Sequence, residues 1–181
     1  MRGKPHGRAT RAPVLRALCI LQKSETMEIK TLAEAKSAIK QISRWYFEEW
    51  GFLREGTTLE KTEEDLHLYL NKNTIPLIVV ATDKSEVLGS AKLRFHEMDI
   101  YPNYEHWLGA VYVPNTYRGN NIASEIISKV CELAVKFGVK RIYLQTQRLD
   151  GGLYSNLGWV PVEQVSYRGL EVLVMVKELD A

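Results

Sequence analysis

Cysteine is nearly absent from this 181-residue chain, which has only Cys19 and Cys131. The two are far apart and form no Cys-x-x-Cys pair, which argues against a disulfide framework or a zinc site of the common spacing. Cys131 falls in a helical pattern and reads as a buried thiol rather than a nucleophile. A reducing, cytoplasmic setting follows. No apolar run approaches the ~20 residues that span a bilayer, so no membrane partner is expected. Charge of one sign is also missing: 24 Lys and Arg face 22 Asp and Glu. Neither that balance nor any basic stripe with interleaved aromatics supports a nucleic-acid partner. Two nucleotide fingerprints are lacking as well. There is no Gly-x-Gly-x-x-Gly, and no Gly-Lys-Ser/Thr of the phosphate-loop kind.

The length suits one domain, perhaps with a tail. Residues 1–26 differ from the rest. Arg2, Lys4, Arg8, Arg11, Arg16 and Lys23 face a single acid, Glu25. This basic leader is expected outside the fold, with residues 27–181 forming one domain. It is too short and broken for a secretory signal. A solvated tail, an Arg-rich transit segment and a start assigned upstream of Met27 all remain open.

Along the folded part, 27–30 reads as a short strand. Thr31-Leu32-Ala33-Glu34 has the form of a capping box for a helix carrying Ala35, Ala38, Ile39, Ile42, Trp45 and Tyr46, stopped at Gly51. Thr62-Glu63-Glu64-Asp65 predicts the start of a second helix with Leu66, Tyr69 and Leu70. Residues 76–82 are a continuous apolar run, as in a strand buried on both faces. With 87–95 it predicts a hairpin. Strand 106–113 runs into a glycine turn, and the turn opens an amphipathic helix with Ile122, Ile126, Ile127, Val130, Leu133, Ala134 and Phe137 on one stripe. Strand 141–146 then completes a parallel crossover. Strands 159–167 and 170–177 close the chain as a hairpin. The expected architecture is α+β: a mixed, mostly antiparallel sheet with one parallel strand–helix–strand unit and flanking helices.

The turn Val111-Tyr112-Val113-Pro114-Asn115-Thr116-Tyr117-Arg118-Gly119-Asn120-Asn121-Ile122-Ala123 is the most informative stretch. A helix start offers unpaired N–H groups and the positive end of the dipole, which together suit a phosphate. The order of strand, Arg118-Gly119-x-x-Ile122-Ala123 and amphipathic helix resembles the GNAT N-acetyltransferase superfamily. That family's pattern is Arg/Gln-x-x-Gly-x-Gly/Ala. Arg118 matches its first position and Ala123 its last, while Asn121 stands where Gly is usual. Asn is the side chain that best tolerates a left-handed backbone there. Tyr154-Ser155-Asn156-Leu157-Gly158-Trp159 resembles the family's Tyr-x-x-x-Gly-Phe element.

The resemblance covers roughly residues 27–179 and implies the GNAT fold, of the kind found in small bacterial members. It implies an N-acetyltransferase that uses acetyl-coenzyme A and moves the acetyl group directly to a primary amine of a small molecule in a ternary complex. In that reading Arg118 and the amides of Gly119, Asn120, Asn121, Ile122, Ala123 and Ser124 hold the pyrophosphate. The backbone of Val111, Tyr112 and Val113 pairs with the pantetheine arm. Tyr154 is the acid that protonates the departing thiolate. Gln147 and Asp150-Gly151-Gly152 depart from the family's Asn and alanine-rich helix, so the helix before Tyr154 is expected to be short. Candidates for the general base are Glu97, Asp99, Glu105 and His106. Aromatic and acidic residues between the first two helices would suit a cationic amine. Rival readings are a peptide or protein N-acetyltransferase and a non-catalytic acyl-coenzyme A sensor. A homodimer through terminal strands is a further implication.

Overall fold

A computed structural model describes residues 27–180. The basic leader and the readings attached to it lie outside these residues. Seven strands form one sheet in the order β1-β2-β3-β4-β5-β7-β6. In chain order they are β1 (Met27–Thr31), β2 (Leu77–Asp83), β3 (Glu86–Phe95), β4 (His106–Tyr112), β5 (Arg141–Thr146), β6 (Val160–Tyr167) and β7 (Leu170–Glu178). Every neighbouring pair is antiparallel except β4 and β5. This is the mixed sheet that the sequence patterning predicts.

Helices α1 (Ile39–Trp50) and α2 (Leu59–His67) cover one face of the first half of the sheet. Their core joins Leu32, Ile42, Trp45, Tyr46, Leu66 and Tyr69 to Ile78 and Val80 of β2. Helix α3 (Ile122–Lys136) packs on the other face, placing Ile126, Val130 and Ala134 against Val79, Ala91 and Leu93. Strand β2 is therefore apolar from Leu77 to Ala81, because each face meets a helix layer. Past α3, Gly138 takes a φ of 79° and turns the chain into β5. A short helix α4 (Gly152–Asn156) follows β5, as brief as its glycines imply.

Two helix starts differ from expectation. Thr31 and Glu34 do bond, with both the Thr31 N–H and hydroxyl donating to the Glu34 carboxylate at 3.1 and 2.9 Å. They close a turn after β1 instead of capping α1, which begins only at Ile39 after a single 3₁₀ turn. The turn is needed to bury Leu32 and Ala35 under α1. Helix α2 starts at Leu59, and its cap is Thr58, whose hydroxyl accepts from the Lys61 N–H at 3.2 Å. Thr62 lies inside that helix and donates its hydroxyl to the Thr58 carbonyl. A Thr with acids behind it fits either position, and burial of Leu66 against the sheet selects the earlier one.

Candidate active site

Two features of β4 shape the site. Ser90 pairs with Tyr112 and Lys92 with Gly109, so β4 carries one residue more than β3 between these pairs. The excess is a bulge at Ala110, whose φ is 47°. Such a bulge takes backbone groups out of the ladder and bends the strand. On its other side β4 meets β5 through the single pair Trp107 and Tyr143. Beyond that pair the two strands part, leaving a cleft between the bulge and the end of β5.

The glycine turn lies after β4. Gly119 has a φ of 83°, and Asn121, at the start of α3, has φ 63° and ψ 8°. Asn121 is thus in the left-handed region, the conformation that makes Gly the common choice and Asn the best substitute. No side chain caps α3. Its first amides therefore remain available, as a bound phosphate would require. Arg118 is tied back, its Nε donating to the Val113 carbonyl at 3.0 Å, and Asn120 Nδ2 donates to the Tyr117 carbonyl at 3.0 Å. These bonds brace the turn against the end of β4. Ile122 and Val113 are core residues, while Ala123 and Ser124 are partly buried. Tyr112 packs on Trp45 and Trp50, with ring centroids 5.1 and 6.2 Å apart. Turn, uncapped helix start and strand cleft together fit an extended cofactor with a phosphate-bearing end.

A cavity of about 760 Å³ opens at the bulge. Its walls include Gly109, Ala110 and Val111 of β4, Gln145 and Thr146 of β5, and Tyr154 of α4. Segments of α1, α2 and the β6–β7 turn complete them. Tyr154 stacks edge-on against Trp159 at 6.2 Å, and burial pushes its phenol up to about 12. The sequence-derived residues Val111 and Tyr154 are therefore brought together. Of the four candidate bases only Glu97 reaches this cavity. Asp99 and Glu105 are exposed, and His106 Nδ1 faces Glu105 at 3.7 Å. Glu97 lies over Gly109 so closely that a Cβ there would sit 2.9 Å from its carboxylate. Arg94 meets the same carboxylate at 3.2 Å, and Gln145 Nε2 donates to it at 3.5 Å.

The aromatic and acidic segment between α1 and α2 divides. Trp45 and Tyr46 belong to the core, Glu48 and Glu49 face solvent, and Glu55, Glu64 and Asp65 line the cavity. Sequence reasoning missed Lys92, Arg94 and Tyr69, which also line it. The available signal was the alternation in β3, where Lys92 and Arg94 interrupt an apolar strand on the face that α1 and α2 cover.

Residues 39–159 match the family model described as the Acetyltransferase (GNAT) family. The chain belongs to the GNAT acetyltransferase family. Solved structures agree on the fold. An N-acetyltransferase from Staphylococcus aureus Mu50 superimposes with a TM-score of 0.67 at 16% identity, over 85% of this chain and 99% of that one. The Salmonella typhimurium yncA protein, assigned as an acetyltransferase and solved with its cofactor acetyl-CoA, gives 0.63 at 17%, over 86% and 95%. Aminoglycoside 6'-acetyltransferase type Ii gives 0.63 at 21%, over 85% and 98%. No curated protein matches the sequence. Among the described residues of this GNAT acetyltransferase, no helix is long and apolar enough to cross a membrane.

Proposed function

We propose that this chain is an N-acetyltransferase that moves an acetyl group from acetyl-coenzyme A to the primary amine of a small molecule, with both substrates bound at once. One observation carries the reading: a single cavity joins the β4 bulge, the Tyr154 phenol and the Glu97 carboxylate. Acetyl-coenzyme A, when bound, supplies the activated acyl thioester. The amides from Gly119 to Ser124, with Arg118, would hold its pyrophosphate. The backbone of Val111, Tyr112 and Val113 would hold the pantetheine arm in the cleft between β4 and β5.

The protein's work is then orientation and placement of charge. The bulge at Ala110 supplies backbone donors near the developing oxyanion. Glu97 takes the proton that the acceptor ammonium must lose, directly or through a water. Tyr154 donates to the departing sulfur. A phenol raised to about 12 holds its proton more tightly than a free thiol, near ~8.5. Hydrogen-bond donation to the developing thiolate is therefore its main contribution, and the phenol stays protonated across the working range. Cys131 takes no part as a nucleophile, since burial pushes its thiol up and away from the reactive form. Its free thiol suits a reducing, cytoplasmic setting. A homodimer through the terminal strands would use edge strand β6, where Val160 and Val162 are exposed. A monomeric mass in solution would remove that element.

Release of free thiol from acetyl-coenzyme A, measured across polyamines, amino acids, aminoglycosides and peptides, tests the activity. Release with some small amine is the expected result. Release with peptides alone would move the acceptor to proteins, and binding without release would leave a sensor.

A further inference from the structure

The acceptor cavity contains a cation that the reaction just described does not use. Lys92 lies directly across from Gly109 in the β3–β4 ladder, so its side chain leaves the sheet on the same face beside the bulge. Its ammonium is held over two tyrosine rings, 4.8 Å from the centroid of Tyr46 and 4.6 Å from that of Tyr69. Tyr46 is itself fixed by a 2.9 Å hydrogen bond to Ser90. Among the described residues no carboxylate stands at ion-pair distance from Lys92. Two residues along the same face, Arg94 gives one nitrogen to Glu97, while its Nε is buried without a hydrogen-bond partner.

Two cations thus flank one carboxylate at Gly109. The remaining charged wall residues balance in number, Arg54, Lys61 and Arg168 against Glu55, Glu64 and Asp65. The cavity keeps one positive charge in excess. A buried cation held only by ring faces is an incomplete site, since ions removed from water ordinarily find a counter-charge. Burial pushes Lys92 down to about 8, with Arg94 acting the same way and Glu97 and Asp65 opposing. A bound anion would stabilise its charged form.

We infer that the acceptor is a zwitterion of the amino-acid kind, whose carboxylate is held by Lys92 beside Arg94 while its amine faces Glu97 and the bulge. A single ammonium with no carboxylate of its own matches the single charge of one ligand carboxylate. A cavity meant only for a cationic amine would gain nothing from an unpaired lysine in its wall. The inference rests on the acetyltransfer reading and specifies the acceptor of that site.

The test is thiol release with matched triplets that share one side chain: the free amino acid, its carboxamide and the decarboxylated amine. In the wild-type protein the free acid should exceed the other two about tenfold or more in kcat/KM, as expected for a charged hydrogen bond out of water. Lys92→Met should reduce that preference to near unity by lowering kcat/KM for the acid alone, with the affinity for acetyl-coenzyme A unchanged in calorimetry. Amides or plain amines used as well as acids by the wild type would overturn the inference and leave the acetyltransferase reading intact. So would a preference that survives Lys92→Met. Acetylation of Lys92 itself, detected by intact mass and peptide mapping, would make it an acceptor rather than an anchor and would also overturn it. No release with any triplet member but release with a polyamine or aminoglycoside would overturn the inference alone, and no release with any acceptor despite bound acetyl-coenzyme A would overturn the acetyltransfer reading as well.

Discussion

At the start of α3 the groups that matter are backbone amides, set by two left-handed residues, Gly119 and Asn121. At Gly109, some residues earlier in the same strand–turn–helix unit, they are side chains: Lys92, Arg94 and Glu97 from β3 and the loop after it, and Tyr154 from α4. In the proposed reading the first region holds a part of the cofactor that never varies, mostly through its backbone. In the same reading the second chooses an acceptor and places protons, which requires particular side chains at particular depths. Substitutions should therefore act differently in the two. In the turn, Arg118 apart, backbone conformation should decide the outcome and side-chain chemistry should hardly count. In the cavity the reverse should hold.

The largest effect is expected at Tyr154. Tyr154→Phe keeps the ring against Trp159 and removes only the donor, so turnover should fall about 10²–10³-fold. Acetyl-coenzyme A affinity, measured by calorimetry, should not change. A loss of affinity in step with turnover would show that the phenol holds the cofactor and would blur the division between the regions. Because the phenol titrates near 12, no loss of activity below about pH 11 should trace to it.

Next comes Lys92, where function and stability are expected to oppose each other. Its folded pKa, about 8, lies below the ordinary lysine value of 10.5. Below pH 8 both the folded and the unfolded forms carry the proton, and the folded state bears the full penalty of desolvating it. Between pH 8 and 10.5 the unfolded chain binds more protons, so this residue makes stability rise with pH. Lys92→Met removes the penalty. At pH 7 it should stabilise the protein by up to ~3 kcal/mol, from 1.36 kcal/mol per unit, less whatever the ring contacts return. Denaturant curves should show the gain shrinking as pH rises through that window. A destabilised variant at pH 7 would mean that the tyrosine rings compensate the charge fully, and the lysine would then need no ligand.

The same contrast decides how much could be read in advance. The turn was legible because its signal is contiguous: strand, Arg118, Gly119, a tolerated Asn121 and an amphipathic stripe follow one another without a break from Val111 to Phe137. Tyr154 was legible through its spacing to Gly158 and Trp159. The mixed sheet with one parallel crossover followed from the early hairpin and the strand–helix–strand unit around α3. The cavity was not legible, because Lys92, Tyr46, Tyr69 and Glu97 meet only after β3 is covered by α1 and α2. Glu97 could be named among four candidate bases but not selected, since selection depends on its lying over Gly109. The starts of α1 and α2 were misplaced for a related reason. Thr31 and Thr62 carry acceptable capping signals, and the burial of Leu32 and Leu66 determined where the helices began.

In the turn, Gly119→Ala should raise the dissociation constant of acetyl-coenzyme A about tenfold. No atom lies within 4 Å of the added Cβ, so the effect would come only from the φ of 83°. A left-handed backbone costs a side-chain-bearing residue about 1–2 kcal/mol. An unchanged constant would mean that the turn adopts this conformation with or without glycine.

Asn121 gives the smallest and most discriminating test. It departs from the family's glycine, yet it holds the left-handed conformation that glycine would hold. Its side chain makes no cap, and its Nδ2 donates only a long 3.4 Å bond to Glu125 on the exposed face. Asn121→Gly should therefore change stability by less than ~0.5 kcal/mol, since exchanging an Asn for Gly at a helix start costs only a few tenths. Cofactor affinity should shift by less than about threefold. Asn121→Val removes a side chain of similar bulk and adds β-branching, which the left-handed region strongly disfavours. That variant should lose about tenfold in affinity, as Gly119→Ala does. If Asn121→Gly and Asn121→Val instead bind equally well, the dihedral is not what matters. If Asn121→Gly alone weakens binding, the amide side chain itself contacts the phosphate, and the turn must be counted with the cavity as a site built from side chains.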